Sequence, residues 1–241
     1  MPSDVTTTFR KNNLDTYLEE LAKEYRRLAG SSIPAEIILI GGAAIVEKYG
    51  FRDMTTDVDA IISAVSVMKE AVNRVGDRNK LPNGWLNADF EKTGSYSEKL
   101  VQYSRYYRTF NHVLNVRIVT GEYLIAMKLH AFRQYKNDVS DIIGILAEHN
   151  CCGDDIDFTR IDKAVNDLYG SWEGISEEAR NFIKDALTKG NYSDMYELAR
   201  INEKLAREQL IDFNDNYPGV LKGENAGQIL NILREKKSKS K

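Results

Sequence analysis

The chain predicts a mixed α/β (α+β) fold: a small mixed sheet flanked by helices, continued by a helical C-terminal part. Three observations carry this. Ile37-Ile-Leu-Ile40 is an unbroken apolar run ending at a glycine pair, which reads as a strand buried on both faces. Val58 to Ile62 reads as a second strand, entered through two alternate aspartates, Asp57 and Asp59. Near residue 151 the pattern changes from mixed helix and strand to helix alone.

Taken in order, Leu14, Tyr17, Leu18, Leu21, Tyr25 and Leu28 recur at helical spacing over 13–29, and Gly30 stands where that helix stops. Strand 36–40 follows Pro34, then a helix over about 43–49 ending at Gly50, then strand 58–62. Val65, Met68, Val72 and Val75 stripe the next helix. Residues 78–99 are polar and loop-rich around Trp85-Leu86-Asn87. Residues 100–110 and 113–119 read as two β segments separated by Asn111-His112. Gly121 opens a helix through about Tyr135, and Asp138 opens another through His149. Helical stripes then recur at 161–168, 179–187, 195–210 and 229–233, interrupted by Pro218-Gly219. The expected division is 1–150, 151–235 for the helical domain, and a disordered basic tail over 236–241.

Composition narrows the function classes. A formal net charge of -3 gives no global positive field for nucleic acid, and the dense basic run is confined to Arg234–Lys241. No apolar run approaches the ~20 residues needed to span a bilayer, and Met1–Arg10 lacks the pattern of a secretory signal. Cys151 and Cys152 are adjacent, which suits neither a structural disulfide nor a zinc site. His112, His130 and His149 show no metal-ligand spacing. A cytoplasmic protein with no membrane partner is expected.

The chemistry concentrates between residues 37 and 62. Gly41-Gly42, after a strand and before a helix, leaves backbone N–H groups bare with no Cβ to keep a phosphate away; a tight turn alone would also use them. Asp57 and Asp59 share one side of a strand, roughly 7 Å apart at Cα. Like charges at that distance raise one another's pKa, and a bound cation removes the penalty. An Asp-x-Asp pair alone also occurs on exposed edges; following Gly41 by 16 and 18 residues, it leaves room for one crossover helix between the strands. The combination suits phosphoryl transfer from a nucleotide. Arg52, Thr55 and Thr56 are then phosphate or supporting contacts, or, for Arg52, a surface charge.

Strand, Gly-Gly, helix, then Arg52-Asp-Met-Thr-Thr-Asp-Val-Asp59 resembles the DNA polymerase beta-type nucleotidyltransferase superfamily. More narrowly it resembles the AbiEii-like toxins of type IV toxin–antitoxin and abortive-infection systems. Tyr123-Leu-Ile-Ala-Met-Lys-Leu-His-Ala131, Tyr135-Lys-Asn-Asp-Val-Ser-Asp-Ile-Ile143 and Trp85-Leu86-Asn87 extend the likeness over about residues 36–147. It implies a nucleotidyltransferase-like domain over 1–150. It also implies metal-dependent transfer of a nucleoside monophosphate from a nucleoside triphosphate to a hydroxyl on tRNA or protein, and a cognate antitoxin.

In that resemblance Gly41 and Gly42 hold the nucleotide phosphates, and Asp57 and Asp59 bind Mg2+ (or Mn2+); Arg52 and Thr56, from the residue pattern, are the further nucleotide contacts expected. Lys128 neutralises triphosphate charge and Asp138 places or deprotonates the acceptor. Lys128 snorkelling from an apolar face, and Asp138 as an N-cap, are the alternatives. The superfamily's third carboxylate is missing: Val113–Val119 offers Asn115 and Arg117, so either two acids with Lys128 and Asp138 suffice, or Asp89, Glu91 or Glu122 substitutes. A catalytically degenerate nucleotide- or partner-binding protein is the other reading. Tyr96–Arg108 interleaves tyrosines with Lys99, Arg105 and Arg108, as an RNA-stacking surface or a half-exposed β-ribbon does.

Overall fold

The sheet has five strands, β1 (Ala35–Leu39), β2 (Val58–Ser63), β3 (Leu86–Asn87), β4 (Ser104–Phe110) and β5 (Leu114–Val119), in the order β3-β2-β1-β5-β4. The computed structural model describes residues 7–239, so the first six residues of the N-terminal segment and the last two of the basic tail lie outside the described residues. Nine helices are described: α1 (Lys11–Ala29), α2 (Gly41–Lys48), α3 (Val67–Asn79), α4 (Gly121–Ala131), α5 (Asp138–Cys151), α6 (Phe158–Tyr169), α7 (Glu177–Lys189), α8 (Tyr192–Asn216) and α9 (Ala226–Lys239). The mixed α+β class is therefore observed, and among the described residues no helix is long and apolar enough to cross a membrane.

β1 is central and fully apolar on its inner positions: Ile37, Ile38 and Leu39 are buried, as the unbroken run requires. It runs parallel to β5 (Ile38↔Arg117) but antiparallel to β2 (Leu39↔Ala60). The helix between β1 and β2 is thus not a parallel crossover. α2 has only eight residues, and the loop after it turns the chain back beside β1. β4 begins at Ser104, because residues 98–101 close a 3-10 turn around buried Leu100. α4 stops at Ala131 rather than near Tyr135, since Phe132 takes a left-handed φ of 37° that ends the helical ladder.

The fold resolves into two compact units. Among the described residues, one comprises 7–127 together with Thr159–Trp172; the other comprises Lys128–Phe158 and 173–239. This differs from the expected border near 151, and the reason is α6. Although helical, it belongs with the sheet: Ser97 and Lys99 donate to the carbonyls of Leu168 and Asp167, and Tyr123 donates to Asp167. Helical periodicity tells which face is buried but not against what. The basic end is also helical as far as Lys239, where a disordered tail was expected from 236.

Within the first unit Glu47, on α2, is buried with one oxygen, Oε1, unpartnered. The Tyr107 hydroxyl lies 2.9 Å from the other oxygen and 3.2 Å from Asp15. One phenolic hydrogen cannot serve both carboxylates, so a proton on Glu47 satisfies the group. Burial pushes the Glu47 carboxyl up to about 7, against the smaller pull of the Tyr107 bond. A raised carboxyl contributes stability that is complete below its ordinary 4.5 and is lost as pH rises through about 7. Glu47→Gln is therefore expected to be more stable than the parent at pH 8 by on the order of 1–2 kcal/mol, with the difference shrinking at pH 5. Urea denaturation at both pH values measures it; an equal difference at both would show that the proton is not involved.

Candidate active site

The glycine turn and the loop before β2 meet in the first unit. α2 starts at Gly41 itself, which takes φ 55°, open to glycine and strained for other residues. A Cβ on Gly41 would lie 3.7 Å from Asp59 Oδ2, so that carboxylate sits directly over the turn. A Cβ on Gly42 would meet Thr55 Oγ1 at 2.5 Å and an Arg52 terminal nitrogen at 2.9 Å. Any side chain there would displace both. Ile40, the N-cap, gives no side-chain acceptor to the first-turn N–H groups. A short helix whose N-terminus lacks a side-chain cap is a local anion site in the electrostatic sense.

Asp57 joins through Thr55, whose hydroxyl donates to Asp57 Oδ1 at 3.1 Å, while Arg52 reaches Thr55 Oγ1 at 3.4 Å and the Met54 carbonyl at 3.0 Å. Val58 and Ala60 are buried and Asp57 and Asp59 are not, the alternation of a strand with one face inward. Gly41, Gly42, Arg52, Asp57 and Asp59 are thereby gathered in one place. Thr55, rather than exposed Thr56, makes these contacts.

Sequence reasoning missed what holds the loop. Phe9 pairs with Thr55 through two backbone bonds of 2.7 and 2.8 Å, and its ring stacks 6.0 Å from Trp85. Trp85 in turn donates to the Val72 carbonyl and accepts from the Val58 N–H. Asn87 is the register partner of Asp59 across β2 and β3, so a carboxamide flanks that carboxylate. The Trp85-Leu86-Asn87 tripeptide was the visible signal; the pairing was not.

Asp59 over the glycine turn, with Asp57 two residues before it, offers the oxygen donors that a magnesium ion takes. Mg2+ takes oxygen ligands and is commonly held by one or two carboxylates, with waters and substrate phosphates completing the octahedron. Among the described residues no group of three or more acidic, histidine or cysteine side chains is placed to hold a metal. Oxygen donors of this kind suit an ion whose remaining positions are filled by waters and substrate phosphates.

The strand expected to carry a third acid is occupied differently. Arg117 and Ile61 both face Ile38 in register, so Arg117 shares a sheet face with Asp59. Its guanidinium is bound to Ser104 Oγ at 2.8 Å and the Ser104 carbonyl at 2.6 Å. Asn115 accepts from Thr109 at 2.7 Å. Of the substitutes, Glu122 faces Arg160 at 3.5 Å, Asp89 pairs with Lys92 at 2.6 Å, and Glu91 is exposed.

Lys128 and Asp138 belong to the second unit, in a cluster of their own. Lys128 Nζ lies 2.7 Å from Asp141 and 3.3 Å from Asp138, and the Arg133 guanidinium grips Asp138 at 2.8 and 3.1 Å. Both aspartates are buried, and the four charges cancel. Burial pushes the Asp138 carboxyl up, but the Lys128 charge and the Arg133 bonds outweigh it and hold it at about 2. A carboxylate held that low is a weak proton acceptor. Asn137, not Asp138, is the N-cap of α5; Asp138 is its first helical residue and instead accepts from the Arg133 N–H. Glu203 on α8 closes the same helix end, accepting from the Val139 and Ser140 N–H groups and from the Ser140 hydroxyl. Burial pushes its carboxyl up to about 7, against the two Ser140 bonds.

Neither the curated proteins nor the solved structures contain a significant match to the chain. A family profile described as "Nucleotidyltransferase of unknown function (DUF6036)" matches residues 16–181, well over half of the 241-residue chain, including the glycine turn, both aspartates and the Lys128 cluster. The chain belongs to this nucleotidyltransferase family.

Proposed function

We propose that the protein transfers a nucleoside monophosphate from a nucleoside triphosphate to a hydroxyl acceptor, with Mg2+ (or Mn2+) held by Asp57 and Asp59. The observation that carries this reading is the approach of Asp59 to Gly41 and of the Thr55–Asp57 pair to Gly42. When bound, the metal supplies charge neutralisation along the phosphates and a template for the attacking and leaving oxygens. The chain's own part is to seat the phosphates on the first turn of α2 and to bring Arg52 alongside. The acceptor oxygen bonds to the α-phosphorus, the bond to the bridging oxygen breaks, pyrophosphate leaves, and the hydroxyl proton passes to solvent.

A tRNA end or a protein side chain as acceptor, and a toxin role with a cognate antitoxin, extend this reading through the family resemblance. Incubation with each α-labelled triphosphate, Mg2+ and total cellular RNA, and with total protein, tests it. Label is expected in one acceptor class with release of pyrophosphate. Magnesium-dependent triphosphate binding without any transfer would favour a second reading, a degenerate nucleotide-binding protein. Its specific support is Arg117, bound to Ser104 on the strand where the superfamily's third acid is expected.

A further inference from the structure

Helix α8 carries two apolar stripes, and only one is used by its own unit. Ala199, Glu203, Ala206 and Leu210 are buried, and the last of these packs with Ala226 and Leu230 of α9. On another face Leu198, Ile201 and Leu205 are exposed by 59, 55 and 51%. Their spacing of three and four residues places them in one row along the helix surface. Three adjacent large aliphatic side chains left in water on one rigid helix are unlike scattered exposed apolar residues.

The charges beside that row say what covers it. Glu197 and Lys204 are seven residues apart, two turns along the same edge, with the row's midpoint at Ile201 between them. A helix laid antiparallel about a two-fold axis between positions 200 and 201 brings Glu197 of each copy to Lys204 of the other. Among the described residues Lys204 otherwise makes only a solvent-exposed contact of 3.8 Å with Glu208, a kind of pair worth little. Asp194 and Glu208 stand at the row's ends. Helices crossing at about −50° touch only near the centre, so those like-charged ends diverge.

We propose that α8 is a self-complementary contact through which two copies of this chain associate, antiparallel and two-fold, over Leu198, Ile201 and Leu205. Such a contact is isologous, the pattern of the commonest soluble homodimers. Three apolar residues per copy bury less than the ~1,200 Å² of a standard interface, so the dimer forms as concentration rises.

Sedimentation equilibrium of the full chain over a concentration series tests this. The parent is expected to pass from monomer to dimer. Ile201→Asp is expected to remain monomeric throughout. Glu197→Lys and Lys204→Glu each place like charges opposite one another twice, and each is expected to weaken association at least ~10-fold. An equimolar mixture of these two variants satisfies both contacts in the mixed dimer and is expected to regain parent-like association. All three positions are exposed, so circular dichroism and Tm should stay near the parent's, separating lost association from lost folding. A parent monomeric at every concentration would overturn the proposal and leave the row to a different protein. So would association indifferent to Ile201→Asp, or single-charge variants that mixing does not rescue.

Discussion

Asp59→Ala is expected to lower label transfer from a nucleoside triphosphate by ~10²–10³-fold or more, with Asp57→Ala close behind. The reason lies in where the carboxylates stand. Asp59 hangs over Gly41, and Asp57 is oriented by the Thr55 hydroxyl beside Gly42. In the proposed reaction, removing either takes away half of the protein's proposed oxygen donors to the metal and leaves triphosphate charge less balanced in the transition state. Asp57 is exposed and Asp59 half-buried, so alanine at either position should leave Tm close to the parent's. Loss of transfer with preserved folding is the signature of residues kept for chemistry. Transfer at the parent rate by both variants would remove the metal site from the account.

The second large effect is expected at Lys128, and there it falls on folding. Lys128→Met leaves Asp138 and Asp141 buried, with only Arg133 to face Asp138, and loss of one partner from a buried ionic cluster costs ~3–5 kcal/mol. Urea denaturation should show a clear fall in midpoint. Lys128→Met combined with Asp141→Leu, which removes the carboxylate nearest the lost lysine, should recover part of it. Asp138, held at about 2, adds stability that is complete above its ordinary 3.8 and lost as pH falls through about 2. Should Lys128→Met abolish transfer at unchanged stability, the lysine would act on the triphosphate, as the family resemblance implies.

Much of the site was legible because it is local. Gly41 and Gly42, Asp57 and Asp59 sit at ends of elements whose type the residue pattern dictates: four consecutive aliphatics need burial, and a residue at φ 55° favours glycine. Thr55 was one of two neighbouring threonines, and only the Phe9 bridge decides that it, rather than Thr56, turns inward. Arg133 was invisible as a partner of Asp138, because nothing in Arg133-Gln-Tyr-Lys-Asn-Asp138 indicates that Phe132 breaks the helix and folds the arginine back.

The sequence by itself determined the mixed α+β class, the central apolar strand and the glycine–aspartate constellation, because period, run length and turn chemistry act over a few residues. Only the tertiary structure decided that β2 runs antiparallel to β1, that α6 belongs with the sheet, and that Lys128 is balanced by two buried aspartates. Strand direction and charge pairing join residues far apart along the chain or at bends that no local pattern announces. They are settled by which arrangement buries the apolar faces while leaving each buried charge a partner.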